Sequence, residues 1–382
     1  MTKTSRPSYV QIDLRAIGEN VRRYKNMLAG CPDCRLMAVV KANAYGHGAV
    51  PVAERALRSG AQWLGVALPH EAMSLREAGI TAPILVLGFT EPDAYLPLIE
   101  AGVRMTVFTA DQGFALAQAA RGAGKRALVH LKVDTGMGRI GFWPGDEAVR
   151  EIEALYTYDA LEWEGCFTHF ARADEDSEDS QESWRLQCRR FRRFLDRLRE
   201  SGIRFPIVHC ANTAAGMRDP ETWMGMYRLG IGIYGLYPSD EVKAWGGIAL
   251  EPALVWKSIL SQVKWLPKGE GVSYGHTWIA DKDTLVGTVP VGYADGYPRT
   301  LSNKGMVLAG GKLVPIIGRV CMDQFMVDLT EASGAVAGDE IVLIGEQGGA
   351  GISVEDIAKW AGTNNYEVLC RIGDRLPSVY VG

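Results

Sequence analysis

Lys41 closes the apolar run Leu36-Met37-Ala38-Val39-Val40 and is followed by Ala42-Asn43-Ala44-Tyr45-Gly46-His47-Gly48. A lysine at the end of an apolar strand is open to desolvation, which lowers an amine's pKa and makes it a nucleophile or base. A lysine snorkelling outward from a strand end is the structural alternative. Far along the chain, Arg228 leads into Gly230-Ile231-Gly232-Ile233-Tyr234-Gly235. Glycine spacing of this kind lets backbone amides cradle a phosphate, although the pattern alone also suits a tightly packed strand. Between the two, Lys132, Asp134 and Arg139 crowd charge around the glycines of Asp134-Thr135-Gly136-Met137-Gly138. The loop is tight and backbone-rich, and a structural salt-bridge cluster is the sober alternative to a functional one. His169 ends one further apolar run, and Asn212 and Thr213 follow another.

The elements that must carry these residues show a regular alternation. Short apolar or β-branched runs at 36–40, 63–67, 83–87, 103–108, 127–133, 163–169, 206–210 and 226–231 are separated by amphipathic segments. In one of these, Trp184, Cys188, Phe191, Leu195 and Leu198 fall on one helical face. About eight strand–helix units of this length match a (β/α)8 barrel, with a doubly wound open sheet as the rival. In a barrel the residues singled out above lie at the C-terminal ends of strands, where barrel enzymes build their sites. A strand-end lysine facing a phosphate loop then fits a phosphorylated aldehyde cofactor such as pyridoxal 5'-phosphate (PLP). After about residue 240 the texture becomes mostly β, with runs at 258–266, 285–291, 312–317, 325–329 and 340–345. A single helix at about 353–361, N-capped by Ser353, interrupts them. The expected division is 1–240 for the barrel and 241–382 for the β-rich domain, with the strand at 9–14 free to pair with the latter.

Composition excludes several classes of function. The chain of 382 residues has 41 Lys and Arg against 45 Asp and Glu, which gives no support to a nucleic-acid partner. The helix at 182–200 carries seven arginines, but they surround an apolar stripe and follow the acidic run 174–179, so a solvated face is the reading. Uncharged stretches such as 78–90 fall short of the ~20 residues that span a bilayer, so no membrane segment is expected. Met1-Thr2-Lys3-Thr4-Ser5-Arg6-Pro7 has no signal-peptide core, and a cytoplasmic location is expected. Cys31-Pro32-Asp33-Cys34 lacks the second ligand pair that a zinc site needs, and no metal is expected.

Residues 40–48, Val-Lys-Ala-Asn-Ala-Tyr-Gly-His-Gly, resemble the PLP-attachment signature of bacterial alanine racemases. The resemblance continues in order through 132–141, His169-Phe170-Ala171, 228–235, Val272-Ser273-Tyr274-Gly275, Gly292-Tyr293-Ala294-Asp295-Gly296, 318–324 and Asn365-Tyr366-Glu367-Val368. It implies a fold-type-III PLP isomerase: a barrel followed by a β domain, assembled as a homodimer with shared active sites. The reaction implied interconverts L- and D-alanine through a cofactor imine, supplying D-alanine for peptidoglycan. A serine or broad-specificity racemase of the same fold is the alternative, and Tyr366 favours a small side chain.

Carried over residue by residue, the resemblance makes Lys41 and Tyr274 the two bases, Tyr274 reaching the partner's site. Lys41 would also attach the cofactor. Tyr45, Thr213, Gly230, Ile231 and Tyr366 would surround the phosphate, with Asn212 beside them. His169 would lie near the pyridine ring and Arg228 at its nitrogen. Arg139 would help hold the substrate carboxylate, and the Met322 backbone would reach the partner's site together with Tyr274 as a substrate-binding group. Asp174, Arg299 and Arg319 would line the access corridor. Lys132 would be carbamylated and brace Arg139, with Asp134 as the alternative brace. Thr213 stands where many relatives have serine, and His276 and Trp278 occupy variable positions.

Overall fold

A computed structural model describes residues 6–382, so residues 1–5 of the stretch examined for targeting lie outside the described residues. The chain divides into two units. One comprises residues 16–44 and 49–251; the other comprises residues 6–15, 45–48 and 252–382.

The first strand, β1 (Tyr9–Asp13), belongs to the second unit. The first unit contains eight parallel strands: β2 (Arg35–Val39), β3 (Trp63–Val66), β4 (Ile84–Val86), β5 (Arg104–Val107), β6 (Ala127–Lys132), β7 (Leu161–Phe167), β8 (Ile207–His209) and β9 (Met226–Leu229). Their order is β8-β7-β6-β5-β4-β3-β2-β9. The two end strands meet where Gly225 N–H reaches Val208 O at 2.8 Å and Arg228 N–H reaches Ala211 O at 3.3 Å. The sheet thus curls into a nearly closed barrel, and the open-sheet rival falls. Parallel strands covered on both faces read as continuous apolar runs, and every residue of β3 and β4 is buried.

Helices follow the strands, each burying one stripe. The longest, Glu178–Glu200, is capped by Ser177, whose hydroxyl accepts from Ser180 N–H. Glu178 and Asp179 sit in its first turn and Arg197 and Arg199 in its last, so charge opposes the helix dipole at both ends. It buries Trp184, Phe191, Phe194, Leu195 and Leu198, while Arg192 pairs with Glu221 and Arg197 with Asp146.

The second unit is antiparallel apart from one ladder. Its strands after β1 are β10 (Leu254–Ile259), β11 (Gln262–Leu266), β12 (Gly271–Val272), β13 (Trp278–Ile279), β14 (Thr284–Val289), β15 (Met306–Ala309), β16 (Lys312–Ile317), β17 (Phe325–Asp328), β18 (Glu340–Gln347), β19 (Ala350–Ile352) and β20 (Ser378–Val381). The order is β11-β14-β17-β16-β15-β18-β10-β1-β20, with β19 beside β18. β1 lies antiparallel to β10 and parallel to β20. The expected run 258–266 is two strands. Leu260 N–H bonds to Asp339 O and Ser261 N–H to Thr288 O, so the chain changes neighbours at that corner. Two helices, Val354–Ala361 and Asn365–Cys370, replace the single one expected. Ser353 caps the first in a reciprocal pair with Asp356, and Gly362 ends it at φ 73°.

Candidate functional site

β2 delivers Lys41 into an unusual turn. Ala42, Asn43, Ala44 and Tyr45 all have φ between 51° and 53°, a left-handed turn built without glycine. Such residues cost roughly 1–2 kcal/mol each, so other bonds must hold them. Ala44 N–H bonds to Val40 O at 2.9 Å. Asn43 Oδ1 accepts from Ala49 N–H at 2.8 Å, and Glu71 Oε1 accepts from Ala42 N–H at 2.5 Å. The other Glu71 oxygen takes the N–H groups of Ala67 and Leu68, which anchors the carboxylate at the end of β3.

The remaining strand ends gather cations. Lys132, at the end of β6, is buried, donates to Val133 O at 2.8 Å and lies 5.4 Å over the Phe167 ring. Burial, and next the Arg228 charge, push its pKa down to about 8. Arg228, 4% exposed at the end of β9, donates to Thr168 O and Cys210 O and faces His209 Nδ1 at 3.0 Å and His169 Nδ1 at 3.2 Å. Among the described residues no carboxylate pairs with it, and burial takes its pKa down to about 10. A guanidinium only donates, so both imidazoles must present bare, neutral nitrogens to it. Burial, then Arg228, holds His169 well below the usual histidine range, with Arg139, Lys132 and Lys41 adding to the field. Lys41, Lys132, Arg139, His169 and Arg228 therefore share one electrostatic environment within the barrel unit.

Asp134 differs from the alternative role foreseen for it. Its oxygens accept from the backbone N–H groups of Gly136, Met137, Gly138 and Arg139, so it shapes the loop instead of bracing the exposed Arg139 guanidinium. Thr213 Oγ1 accepts from Gly230 N–H at 3.0 Å, which ties the loop after β8 to the loop after β9. Asn212 is occupied as a helix cap, its Oδ1 accepting from Ala215 N–H. Ile231 starts a short 3-10 turn after Gly230. Half-buried Asp174 gives its carbonyl to the Ser239 hydroxyl at 2.6 Å, and burial raises its carboxyl pKa.

The second unit holds the other candidates. The Tyr45 and Tyr366 rings are 6.0 Å apart. Tyr274 opens a short 3-10 turn beside the β12–β13 hairpin and is 73% exposed. The Ser273 hydroxyl ties this turn to Arg319 O at 2.7 Å. Met322, also exposed, has its carbonyl fixed by Ala294 N–H at 3.0 Å. A Cβ on Gly292 would lie 2.1 Å from that carbonyl oxygen, so only glycine fits there. Exposed Arg299 heads another 3-10 turn, which ends on buried Leu301.

Sequence reasoning did not find Glu71, His209, His130 or Glu164. Glu71 follows a strand and opens a helix at Pro69, and that context was its only local signal. As a donor set, the barrel unit offers an amine, a buried guanidinium with no carboxylate partner among the described residues, and hydroxyl and amide groups at Thr213, Gly230 and Ile231. These suit a small anion bearing an electrophilic carbon and a basic ring nitrogen.

Residues 12–238 match the family described as alanine racemase, N-terminal domain, and residues 253–380 the one described as alanine racemase, C-terminal domain. The alanine racemase of Desulforamulus reducens is 48% identical over 376 residues, covering 98% of this chain and 99% of that protein. That of Symbiobacterium thermophilum is 46% identical, covering 99% and 98%. Among solved structures, alanine racemase from Bacillus anthracis with bound L-Ala-P superposes with a TM-score of 0.94 at 39% identity, covering 100% of this chain and 96% of that one. Clostridium difficile alanine racemase gives 0.92 at 39% identity, covering 99% and 97%.

Proposed function

The chain belongs to the alanine racemase family, and from that premise we propose that it interconverts L- and D-alanine with PLP, the following residues dividing the work. Lys41 supplies the amine that holds the cofactor, and its neutral Nζ removes or returns the α-proton on one face of the substrate. Tyr274 of a second copy serves the opposite face, so the working unit is a homodimer with shared sites. Bound PLP supplies a conjugated ring that delocalises the electrons left when the α-proton departs.

Arg228 presents donors to the ring nitrogen. Because a guanidinium keeps its protons, Arg228 would disfavour a proton on that nitrogen, and a cofactor held there would supply a shallower electron sink, favouring proton return over side reactions. His169 stays neutral against the ring. Thr213, Gly230 and Ile231, with Tyr45 and Tyr366, take the phosphate; Asn212 supports this group by capping the helix that starts at Thr213. Arg139 and the Met322 amide take the substrate carboxylate, and Lys132, as a carbamate, supplies the anion beside Arg139. Asp174, Arg299 and Arg319 line the access corridor. In this reading residues 1–240 supply most of the cofactor site and 241–382 add Tyr366 to it and complete the partner's site, in a cytoplasmic enzyme that supplies D-alanine to peptidoglycan.

The observation that carries the reading is Arg228: a buried cation held by two carbonyls and two imidazoles, with no carboxylate among the described residues to favour a protonated ring. Incubating purified protein and PLP with L-alanine tests it, following D-alanine with carbon dioxide release as the control. D-Alanine without carbon dioxide is expected. Carbon dioxide release, or no D-alanine, refutes the reading.

A further inference from the structure

Behind Arg228 a line of polar groups runs down the barrel interior. His209 Nδ1 faces Arg228 Nη1 at 3.0 Å, and its Nε2 lies 2.9 Å from His130 Nδ1. His130 Nε2 stands 3.6 Å from Glu164 Oε2, beyond a good hydrogen bond, and has no hydrogen-bond partner among the described residues. Glu164 is gripped by Arg104, whose Nε and Nη2 donate to its two oxygens at 2.8 and 3.1 Å. Both histidines are fully buried.

The donor inventory allows one proton arrangement. Arg228 only donates, so His209 Nδ1 is bare and its proton is on Nε2. That proton points at His130 Nδ1, which must therefore be bare, and His130 carries its own proton on Nε2. Among the described residues, the charge placed to receive that proton's dipole is Glu164. Every link points the same way, from the guanidinium to the carboxylate. Burial and the neighbouring cations hold both imidazoles below their ordinary pKa, consistent with neutral rings. Burial alone would raise the Glu164 pKa, but the nearby His130 and the Arg104 hydrogen bonds take it down to about 2.

The fold makes room for this line. A Cβ at Gly165 would lie 2.4 Å from His130 Nδ1, and the β6–β7 register shifts between Val129 and His130. A glycine and a strand irregularity thus converge on one ring, which packs 5.5 Å from Trp63. The Phe167 ring stacks on His209 with centroids 4.8 Å apart and also lies under Arg228.

We propose that Glu164, clamped by Arg104, is a positioning residue: through His130 and His209 it fixes the imidazole acceptor that Arg228 needs, and so holds the guanidinium in place at the cofactor ring. The inference rests on the reading that Arg228 meets the ring nitrogen. Histidine 15N NMR on the cofactor-free protein tests the chain without that reading, and kinetics of the PLP-loaded enzyme test its consequence. In the parent, His130 and His209 are expected to be neutral with the proton on Nε2. In Glu164→Gln the two rings should show mixed tautomers, with kcat for L-alanine down on the order of tenfold and KM near the parent value. Glu164→Asp should fall between.

Parent-like histidine signals together with parent-like kcat in Glu164→Gln would overturn the proposal. Should that variant not fold, a proton on His209 Nδ1 in the parent overturns it alone. Failure of the ring-nitrogen reading has a separate signature, parental turnover by Arg228→Lys with the histidine signals intact.

Discussion

Glu71 Oε1 accepts the backbone N–H of Ala42 at 2.5 Å, one residue beyond Lys41, so a carboxylate from the start of the helix that follows β3 fixes the direction in which the lysine leaves its strand. The bond matters because residues 42–45 are left-handed throughout. Removing the anchor lets the turn relax and swings Lys41 away. Glu71→Ala should cost about 2–4 kcal/mol of stability, since it strips a charged acceptor from three backbone N–H groups. It should also lower kcat by tenfold or more. Denaturant melts with hydrogen exchange at residues 41–48 check this; protection equal to the parent's there would refute it.

Lys132 gives a pH dependence whose sign can be worked out. Unfolded, the amine holds its proton up to 10.5; folded, burial and Arg228 bring the pKa down to about 8. Between those values the unfolded chain binds more protons, so this group makes stability rise with pH across that window and carries its full penalty below it. A carbamate, formed when the neutral amine adds carbon dioxide and loses a proton, removes the penalty. Parent protein at pH 8 should therefore melt higher with bicarbonate than after carbon dioxide is stripped, by roughly 2–4 °C per kcal/mol relieved. Lys132→Met should show no such difference. A 13C carbamate signal from labelled bicarbonate, present in the parent alone, identifies the species.

These two lysines mark what the sequence discloses and what it hides. The barrel is legible because parallel strands buried on both faces leave apolar runs such as 63–67 and 83–87, and Lys41 is legible because it ends one. The turn after it is not, since only Asn43 in Ala42-Asn43-Ala44-Tyr45 tolerates positive φ readily and the anchor of the turn lies 29 residues away. His130 and His209 read as polar interruptions of strands, and only the closed barrel brings them within 2.9 Å. In the β unit, β10 and β11 merge in the sequence because the corner at Leu260-Ser261 has neither glycine nor proline. The helix Asn365–Cys370 is too short to show a period.

Gly292 separates packing from backbone freedom. Its φ of −147° suits any residue, yet a Cβ would sit 2.1 Å from Met322 O and 2.4 Å from Cys321 O. Gly292→Ala must push the 321–323 loop aside and carry the Met322 peptide with it. Such overpacking costs about 1–3 kcal/mol. If the Met322 amide holds the substrate carboxylate, KM for alanine should rise severalfold while PLP affinity stays at the parental value. Steady-state kinetics with a PLP titration decide it, and an unchanged KM would remove Met322 from the substrate site.

Tyr274 is 73% exposed, whereas Lys41 ends a buried strand, and the proposed two-base reaction needs both on one substrate. Lys41→Ala and Tyr274→Phe should each lose on the order of 10²–10⁴-fold in turnover as separate preparations. Mixed after reversible dissociation, the two variants form heterodimers in which one site has lost both groups and the other keeps both. Random pairing makes about half of the dimers mixed, each with one intact site of two, so about a quarter of parental activity should return. Recovery on mixing requires that the phenol be lent across the interface, because a site assembled within one chain would be defective in every combination. A mixture as inactive as its components, with dimer exchange verified by mass, would place both bases in the same polypeptide.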